Sequence, residues 1–150
     1  MGRLDGKVAL ISGGSKNQGA AEAKLFTAEG AKVVFGDIAD EEGRAFEAEI
    51  KAAGGEADYM HLDVASAADW QAAVAHASER FGELDILINN AAILAPRVPV
   101  EERTEEEWDR VMAVNAKGVF LGTKTAIPAM RNAGGGSIVN ISLISGIGQT

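Results

Sequence analysis

The sequence has 150 residues, and its 14 Lys+Arg against 22 Asp+Glu give a formal net charge of -8 at pH 7. Such a negative field repels phosphate, so we expect no binding to nucleic acid or to a membrane surface. The lack of cysteine excludes disulfides and thiolate metal sites. No apolar run approaches the roughly 20 residues of a membrane helix, and the first residues lack the apolar core of a signal peptide. These features predict a globular, cytoplasmic protein.

Short apolar runs alternate with helical patterns along the whole chain. The runs, which predict β-strands, lie at residues 7–12, 32–37, 57–63, 84–89 and 137–142. Four of them are nearly continuous in Val, Ile, Leu or Ala, which is typical of parallel strands covered on both faces. The third mixes in polar residues and is expected nearer the sheet edge. The chain therefore predicts one α/β domain over 1–150, a doubly wound parallel Rossmann sheet in three layers with strand order 3-2-1-4-5.

Apolar side chains at helical spacing predict which helix faces are buried. The first three stripes are Ala21, Leu25 and Ala28; Phe46, Ile50 and Ala53; and Trp70, Val74, Ala77 and Phe81. A capping box of Thr104 and Glu107 opens a long helix predicted over residues 104–131. Its stripe is Trp108, Val111, Met112, Asn115 and Val119. Both tryptophans are thus expected in the core.

A glycine-rich turn at residues 12–19 joins the first strand to the first helix. A strand that feeds a helix N-terminus presents unpaired backbone N–H groups, and glycine lets an anion approach them. A P-loop is excluded because Ala20 and Ala21 stand where Lys and Ser or Thr are required. The turn could also be a loop that merely needs positive φ. The candidate cofactor-binding residues in it are Gly13, Ser15, Asn17, Gln18 and Gly19.

Asp37 ends the second predicted strand, 18 residues after Gly19. An acid at this place accepts hydrogen bonds from the ribose hydroxyls of a dinucleotide. It also repels a 2′-phosphate, which favours NAD over NADP. The alternative is that Asp37 caps the next helix. Together with the neighbouring Ile38, it predicts the adenosine end of a NAD site.

At this point the chain resembles the short-chain dehydrogenase/reductase family over all 150 residues. The matching motifs are S-G-G-S-K-N-Q-G at 12–19, Asp37, L-D-V at 62–64, N-N-A-A at 89–92, V-N-A-K-G at 114–118 and S-I-V-N-I-S at 137–142. The resemblance implies that the turn binds the pyrophosphate and that Asp63 and Val64 contact adenine. It implies that Asn90, Ala91, Ala92 and Val114 line the cofactor cleft. It also gives Asn115 a part in a catalytic proton relay.

Two asparagines keep a structural alternative open. A buried amide in mid-helix costs about 1–3 kcal/mol when left unpaired, so Asn115 could be a satisfied structural amide rather than a relay. Asn89 could equally bond neighbouring loops.

His61 and Asp63 are too few ligands for a metal site, and we expect none.

The sequence departs from the family's pattern at four places. Asn17 replaces the middle glycine of the turn, and Ala92 replaces the glycine of N-N-A-G. Leu143 stands where the family has its catalytic serine, and a leucine cannot donate a hydrogen bond to a substrate oxygen. The family's Tyr-x-x-x-Lys acid/base pair does not occur in the 150 residues, so the chain is expected to lack the C-terminal part of the family fold.

The resemblance favours a NAD-dependent dehydrogenase that moves a hydride between an alcohol or ketone and the nicotinamide. A NAD-binding fragment or pseudoenzyme without turnover is the alternative, because Asn17 and Leu143 alter two functional positions together. A Rossmann scaffold that binds nothing is a third possibility. The expected partners are a small alcohol or ketone substrate and, when the full family fold is present, further copies of the chain.

Overall fold

A computed structural model describes residues 2–142 and shows five parallel strands with helices on both faces. The strands are β1 (Val8–Ser12), β2 (Lys32–Asp37), β3 (Glu56–His61), β4 (Ile86–Asn89) and β5 (Ser137–Asn140). The helices are α1 (Asn17–Ala28), α2 (Asp40–Ala52), α3 (Ala67–Phe81), α4 (Glu105–Met112) and α5 (Gly118–Asn132). The sheet order is β3-β2-β1-β4-β5, and each neighbouring pair is parallel. The predicted fold class and strand order are confirmed.

The sheet separates two hydrophobic cores because successive strand side chains point to opposite faces. In β1, Val8 and Leu10 join the core under α3 and α5, while Ala9 and Ile11 join the core under α1 and α2. All five residues of β1 are buried, as expected of the central strand. β3 lies at one edge of the sheet, which explains the polar residues in its pattern.

The buried face predicted for α1 is wrong, whereas those predicted for α2 and α3 are largely correct. In α1, Ala21 and Ala28 are exposed and Leu25 is 58% exposed, while Gly19 and Ala23 are buried. Small residues face the sheet here, so α1 can approach it closely. The helix has alanines at several spacings, and the sequence therefore does not distinguish the predicted face from the buried one. In α2 and α3 the stripes are confirmed at Phe46, Ile50, Trp70, Val74 and Ala77, while Ala53 is exposed just beyond α2.

The long helix predicted over residues 104–131 is divided. Thr104 and Glu107 form the expected capping box, and α4 then runs into a π-helical turn, Ala113–Lys117, before α5 begins. Trp108 is 63% exposed, so its predicted place in the core is wrong. α4 buries none of its residues against the part of the chain that the structure describes. π-Helical turns often occur at functional sites, and this one carries Asn115.

The last predicted strand is shorter and less covered than expected. β5 ends at Asn140, and Val139 is 42% exposed. Within residues 2–142 β5 is an edge strand, so its apolar pattern lacks the cover predicted for both faces. No helix in this part of the chain is both long and apolar enough to cross a membrane. The cytoplasmic location stays a prediction.

Candidate cofactor site

An open cleft of about 370 Å³ lies at the carboxyl ends of the strands. In open α/β sheets this edge is where ligands bind, at the point where the strand order reverses on either side of β1. The predicted residues that line the cleft are Gly13, Asn17, Gln18, Asp37, Ile38, Asp63, Val64, Asn90, Ala91, Ala92 and Val114. Three further lining residues, which sequence reasoning missed, are Lys16, Leu62 and Ile93. Each is a sequence neighbour of a predicted residue, and that adjacency was the available signal.

The glycine turn is packed tightly against the end of β4. Gly13 has φ +66, and a Cβ there would lie 2.9 Å from the Cα of Ala91. A Cβ on Gly19 would overlap the carbonyl oxygen of Gly13. Gly19 is buried and does not line the cleft, so in this structure it allows the turn to close on itself.

Asn17 adopts a left-handed backbone, with φ 49, at the start of α1. This conformation suits the glycine that the family has here, and Asn tolerates it better than most residues. Lys16, at the cap position, places no side-chain acceptor on the first N–H groups of α1. The backbone N–H groups of the first turn of α1 therefore have no side-chain acceptor at the cap. They lie at the end of the helix that borders the cleft, where the helix dipole favours an anion.

Ser15 lies in the turn but not in the cleft lining. Its Oγ is buried and has no hydrogen-bond partner within residues 2–142. A buried hydroxyl without a partner costs about 1–3 kcal/mol. A phosphate group held at the turn would offer this hydroxyl an acceptor once the turn admits it.

The carboxylate of Asp37 lines the cleft and holds the turns around it. Its Oδ2 accepts a hydrogen bond from the Ser15 N–H at 3.3 Å, and its Oδ1 accepts one from the Ala39 N–H at 3.2 Å. The cap position of α2 is Ala39, which has no side-chain cap bond. Asp37 therefore does not cap α2 in the way the alternative interpretation required. Each carboxylate oxygen keeps a lone pair for a ligand hydroxyl.

Asn90 joins the end of β4 to the glycine turn. Its Nδ2 donates to the carbonyl oxygens of Ser12 at 3.1 Å and of Gly13 at 3.0 Å. The N–H groups of Asn90 and Ala91 both donate to the Ser12 hydroxyl, at 3.1 and 3.2 Å. These bonds fix the position of the glycine turn relative to the cleft-lining residues that follow β4.

Asn89 makes structural hydrogen bonds, as its alternative predicts, but to a strand and a helix rather than between loops. It is buried, and its Nδ2 donates to Asn140 Oδ1 at 2.8 Å and to Thr123 Oγ1 at 3.3 Å. The bonds connect β4 to β5 and α5. Asn89 therefore orders the sheet beneath the cleft and does not line it.

The side chain of Asn115 is hydrogen-bonded through both its oxygen and its nitrogen to the backbone of Ile93. Its Oδ1 accepts from the Ile93 N–H at 2.9 Å, and its Nδ2 donates to the Ile93 carbonyl at 2.8 Å. The amide thus ties the π-helical turn to the loop after β4, and its neighbour Val114 lines the cleft. The geometry matches a satisfied structural amide. The relay role stays a prediction.

Leu143, at the family's serine position, lies outside the described residues. Within residues 2–142 no group of three or more His, Asp or Glu side chains is arranged to hold a metal ion.

Comparison with known proteins decides the family. A family model described as short chain dehydrogenase matches residues 7–149. The chain belongs to this family. It is 51% identical over 149 residues to a 3-alpha-(or 20-beta)-hydroxysteroid dehydrogenase of Mycobacterium tuberculosis, covering 99% of this chain and 56% of the relative. It is 50% identical over 148 residues to a 2,5-dichloro-2,5-cyclohexadiene-1,4-diol dehydrogenase of Sphingobium indicum, covering 99% and 59%.

A solved structure of the same family has the fold of this chain. A metagenomic short-chain oxidoreductase in complex with NADP superposes with a TM-score of 0.90 and 36% identity, covering 98% of this chain and 66% of the other. The chain spans a little over half the length of the two curated relatives.

Proposed function

We propose that this protein is an oxidoreductase that transfers a hydride between NAD(H) and the carbon of an alcohol or ketone. The observation that carries the proposal is the Asp37 carboxylate at the end of β2, which lines the cleft and is bonded to the glycine turn. The two relatives, named as dehydrogenases of a hydroxysteroid and of a cyclic diol, support an alcohol substrate.

Different residues of the cleft would bind different parts of the cofactor. The turn and the N-terminus of α1 would hold the pyrophosphate, Asp37 the adenosine ribose, and Asp63 with Val64 the adenine. The nicotinamide, when bound, supplies the hydride acceptor or donor. Asn115 would act by holding the Ile93 loop at the cleft, with its proposed relay role in addition.

NADP is the second candidate cofactor, because Lys16 also lines the cleft. Its Nζ lies 2.7 Å from Glu42 Oε1, and this hydrogen bond raises the pKa of Lys16 and lowers that of Glu42. The positive charge is therefore already paired. Asp37 lies at the same end of the cleft and forms no ion pair with any residue of 2–142, so we favour NAD.

Titration of the intact protein with NADH and with NADPH tests the proposal. We expect NADH to bind more tightly, as followed by nicotinamide fluorescence. Binding without oxidation of secondary alcohols would favour the nucleotide-binding pseudoenzyme that Leu143 suggests. If neither nucleotide binds at millimolar concentration, the proposed function is wrong.

Replacing Asn17 with glycine is expected to tighten NADH binding about two- to fivefold. Glycine removes the side chain beside the phosphates and adopts the observed φ of 49 without strain. The dissociation constant measures the effect. Asn17→Ala is the matched control: it removes the carboxamide but keeps the Cβ. An unchanged affinity in Asn17→Gly contradicts the claim that Asn17 crowds the phosphates.

We also propose that the protein associates with copies of itself along α4 and α5. Three apolar side chains on these helices, Trp108, Met112 and Phe120, are exposed in the single chain. We expect Phe120→Glu to shift sedimentation toward smaller species. Leu25→Glu on α1 is the matched control, because Leu25 is 58% exposed and Phe120 is 59% exposed. Equal sedimentation of the two variants contradicts this interface.

A further inference from the structure

His61 lies between two carboxylates at the end of the edge strand β3. Its Nδ1 is 2.7 Å from Asp40 Oδ1, and its Nε2 is 4.0 Å from Asp69 Oδ2. Asp40 is the first residue of α2, and Asp69 lies in the first turn of α3. One imidazole ring therefore lies between the first turns of two helices, α2 and α3, which follow the adjacent strands β2 and β3.

Asp40 connects His61 to the wall that carries Asp37. The hydroxyl of Tyr59 lies 2.6 Å from the same Asp40 Oδ1 and 2.7 Å from the carbonyl oxygen of Asp37. Gly43 in α2 leaves room for the Tyr59 ring, because a Cβ there would overlap the ring carbons. Burial and the bond to Asp40 raise the pKa of Tyr59, so the phenol stays a donor at neutral pH.

Asp69 connects His61 to the wall that carries Asp63 and Val64. Its Oδ2 accepts a hydrogen bond from the Asp63 N–H at 2.9 Å, and its Oδ1 accepts one from the Ser66 hydroxyl at 2.7 Å. The pKa of Asp69 is lowered chiefly by the Ser66 bond, so the carboxylate is ionised. The backbone already joins the two turns, because the Leu62 N–H donates to the Asp37 carbonyl oxygen at 3.0 Å. A group that attracts Asp69 toward Asp40 strengthens this connection between the Asp63 turn and the Asp37 turn.

We propose that His61 is a positioning residue that holds the two walls of the cleft together through Asp40 and Asp69, and that its protonated form favours nucleotide binding. The inference rests on the nucleotide binding proposed above. A neutral imidazole has one N–H and donates only to Asp40, which leaves the lone pair of Nε2 facing the Asp69 carboxylate. The protonated ring has two donors and attracts both carboxylates. We call Asp40, Tyr59, His61 and Asp69 the histidine clamp.

The surroundings of the clamp favour the charged imidazole. The hydrogen bond that the imidazole donates to Asp40 is the largest influence and raises the pKa of His61, against a smaller opposing effect of burial. Outside the clamp, the charged groups that act on its members are Asp63, Asp37 and Arg44. Because the pKa is raised, the clamp is complete below about pH 6.5 and is lost as the pH rises through the pKa of the folded protein.

The test measures the dissociation constant of NADH in the intact protein from about pH 6 to about pH 9. We expect it to rise about two- to fivefold over this range, the size of effect that an exposed charged pair gives. In His61→Gln the weaker affinity should hold at every pH. His76→Gln is the matched control: His76 bonds Asp58, 3.0 Å away, and lines no part of the cleft, so it should keep the pH dependence.

A second measurement reports on the clamp without cofactor. In an NMR titration of the imidazole, Asp40→Asn should lower the pKa of His61. An unaltered His61 titration, or a pH dependence of NADH binding that persists in His61→Gln, overturns the inference while the proposed function stands. Failure of NADH to bind at any pH overturns the proposed function, and the effect of the clamp on binding with it.

Discussion

Replacing Asp37 with alanine is expected to reduce the preference for NADH over NADPH by about 10- to 100-fold. The carboxylate offers a charged acceptor to ribose hydroxyls, and such hydrogen bonds contribute about 1.5–3 kcal/mol. The same charge repels the 2′-phosphate of NADPH at close range. Both effects disappear in the variant, so NADH binds more weakly and NADPH more tightly. The ratio of the two dissociation constants measures the change.

Asp37 also holds the protein's own backbone, so the alanine variant needs a control. The carboxylate accepts from the N–H groups of Ser15 and Ala39, and their loss loosens both turns for either cofactor. Asp37→Asn keeps an acceptor oxygen without the charge. It should gain NADPH affinity while losing less NADH affinity than Asp37→Ala. Equal affinity of the unsubstituted protein for the two cofactors contradicts the assigned role.

Lys16 provides an independent check on the same preference. In Glu42→Gln the ammonium group loses its 2.7 Å ionic partner and becomes available to a 2′-phosphate. We expect NADPH affinity to rise in this variant and NADH affinity to stay constant. The comparison separates the charge of Asp37 from that of Lys16 at one end of the cleft.

The sheet could be predicted from the sequence because a buried strand needs a run of apolar residues, which the sequence shows directly. The run that became β1 is apolar without interruption from Val8 to Ile11, which is typical of a strand covered on both faces. Helix faces were harder. α1 contains alanines at several spacings, and the sequence did not show whether Leu25 or Ala23 faced the sheet. Trp108 looked like a core residue because hydrophobicity does not distinguish a packed side chain from one exposed on a helix.

Some residues of the candidate site could likewise be predicted from the sequence, and others could not. Gly13 and Asp37 were found because a turn and a strand end place them by backbone geometry alone. The network of Tyr59, Asp40 and His61 left no sequence signal, because its members come from two elements that meet only in the folded sheet. The pairing of Asn115 with Ile93 was missed for the same reason.

Trp70→Ala is expected to lower the free energy of unfolding by about 3–5 kcal/mol, the range found for deleting a large buried aromatic side chain. Trp70 is 0% exposed, and its Nε1 donates to the carbonyl oxygen of Val64 at 3.0 Å. Its ring also packs against Gly122, where a Cβ would lie 2.7 Å from ring carbons. The variant therefore leaves a cavity between α3 and α5 and an unpaired carbonyl. Denaturant unfolding measures the loss.

Two control variants separate packing from hydrogen bonding and connect Trp70 to the cleft. Trp70→Phe keeps most of the packing but removes the Val64 bond, so it should be much milder than Trp70→Ala. Trp108→Ala, measured at a concentration where the protein is monomeric, should change stability by less than about 0.5 kcal/mol, because Trp108 is exposed. Since Val64 lines the cleft, Trp70→Phe should also weaken NADH binding. Equal destabilisation by Trp70→Ala and Trp108→Ala would contradict the placement of the core, because only one of these rings is enclosed by the sheet and its helices.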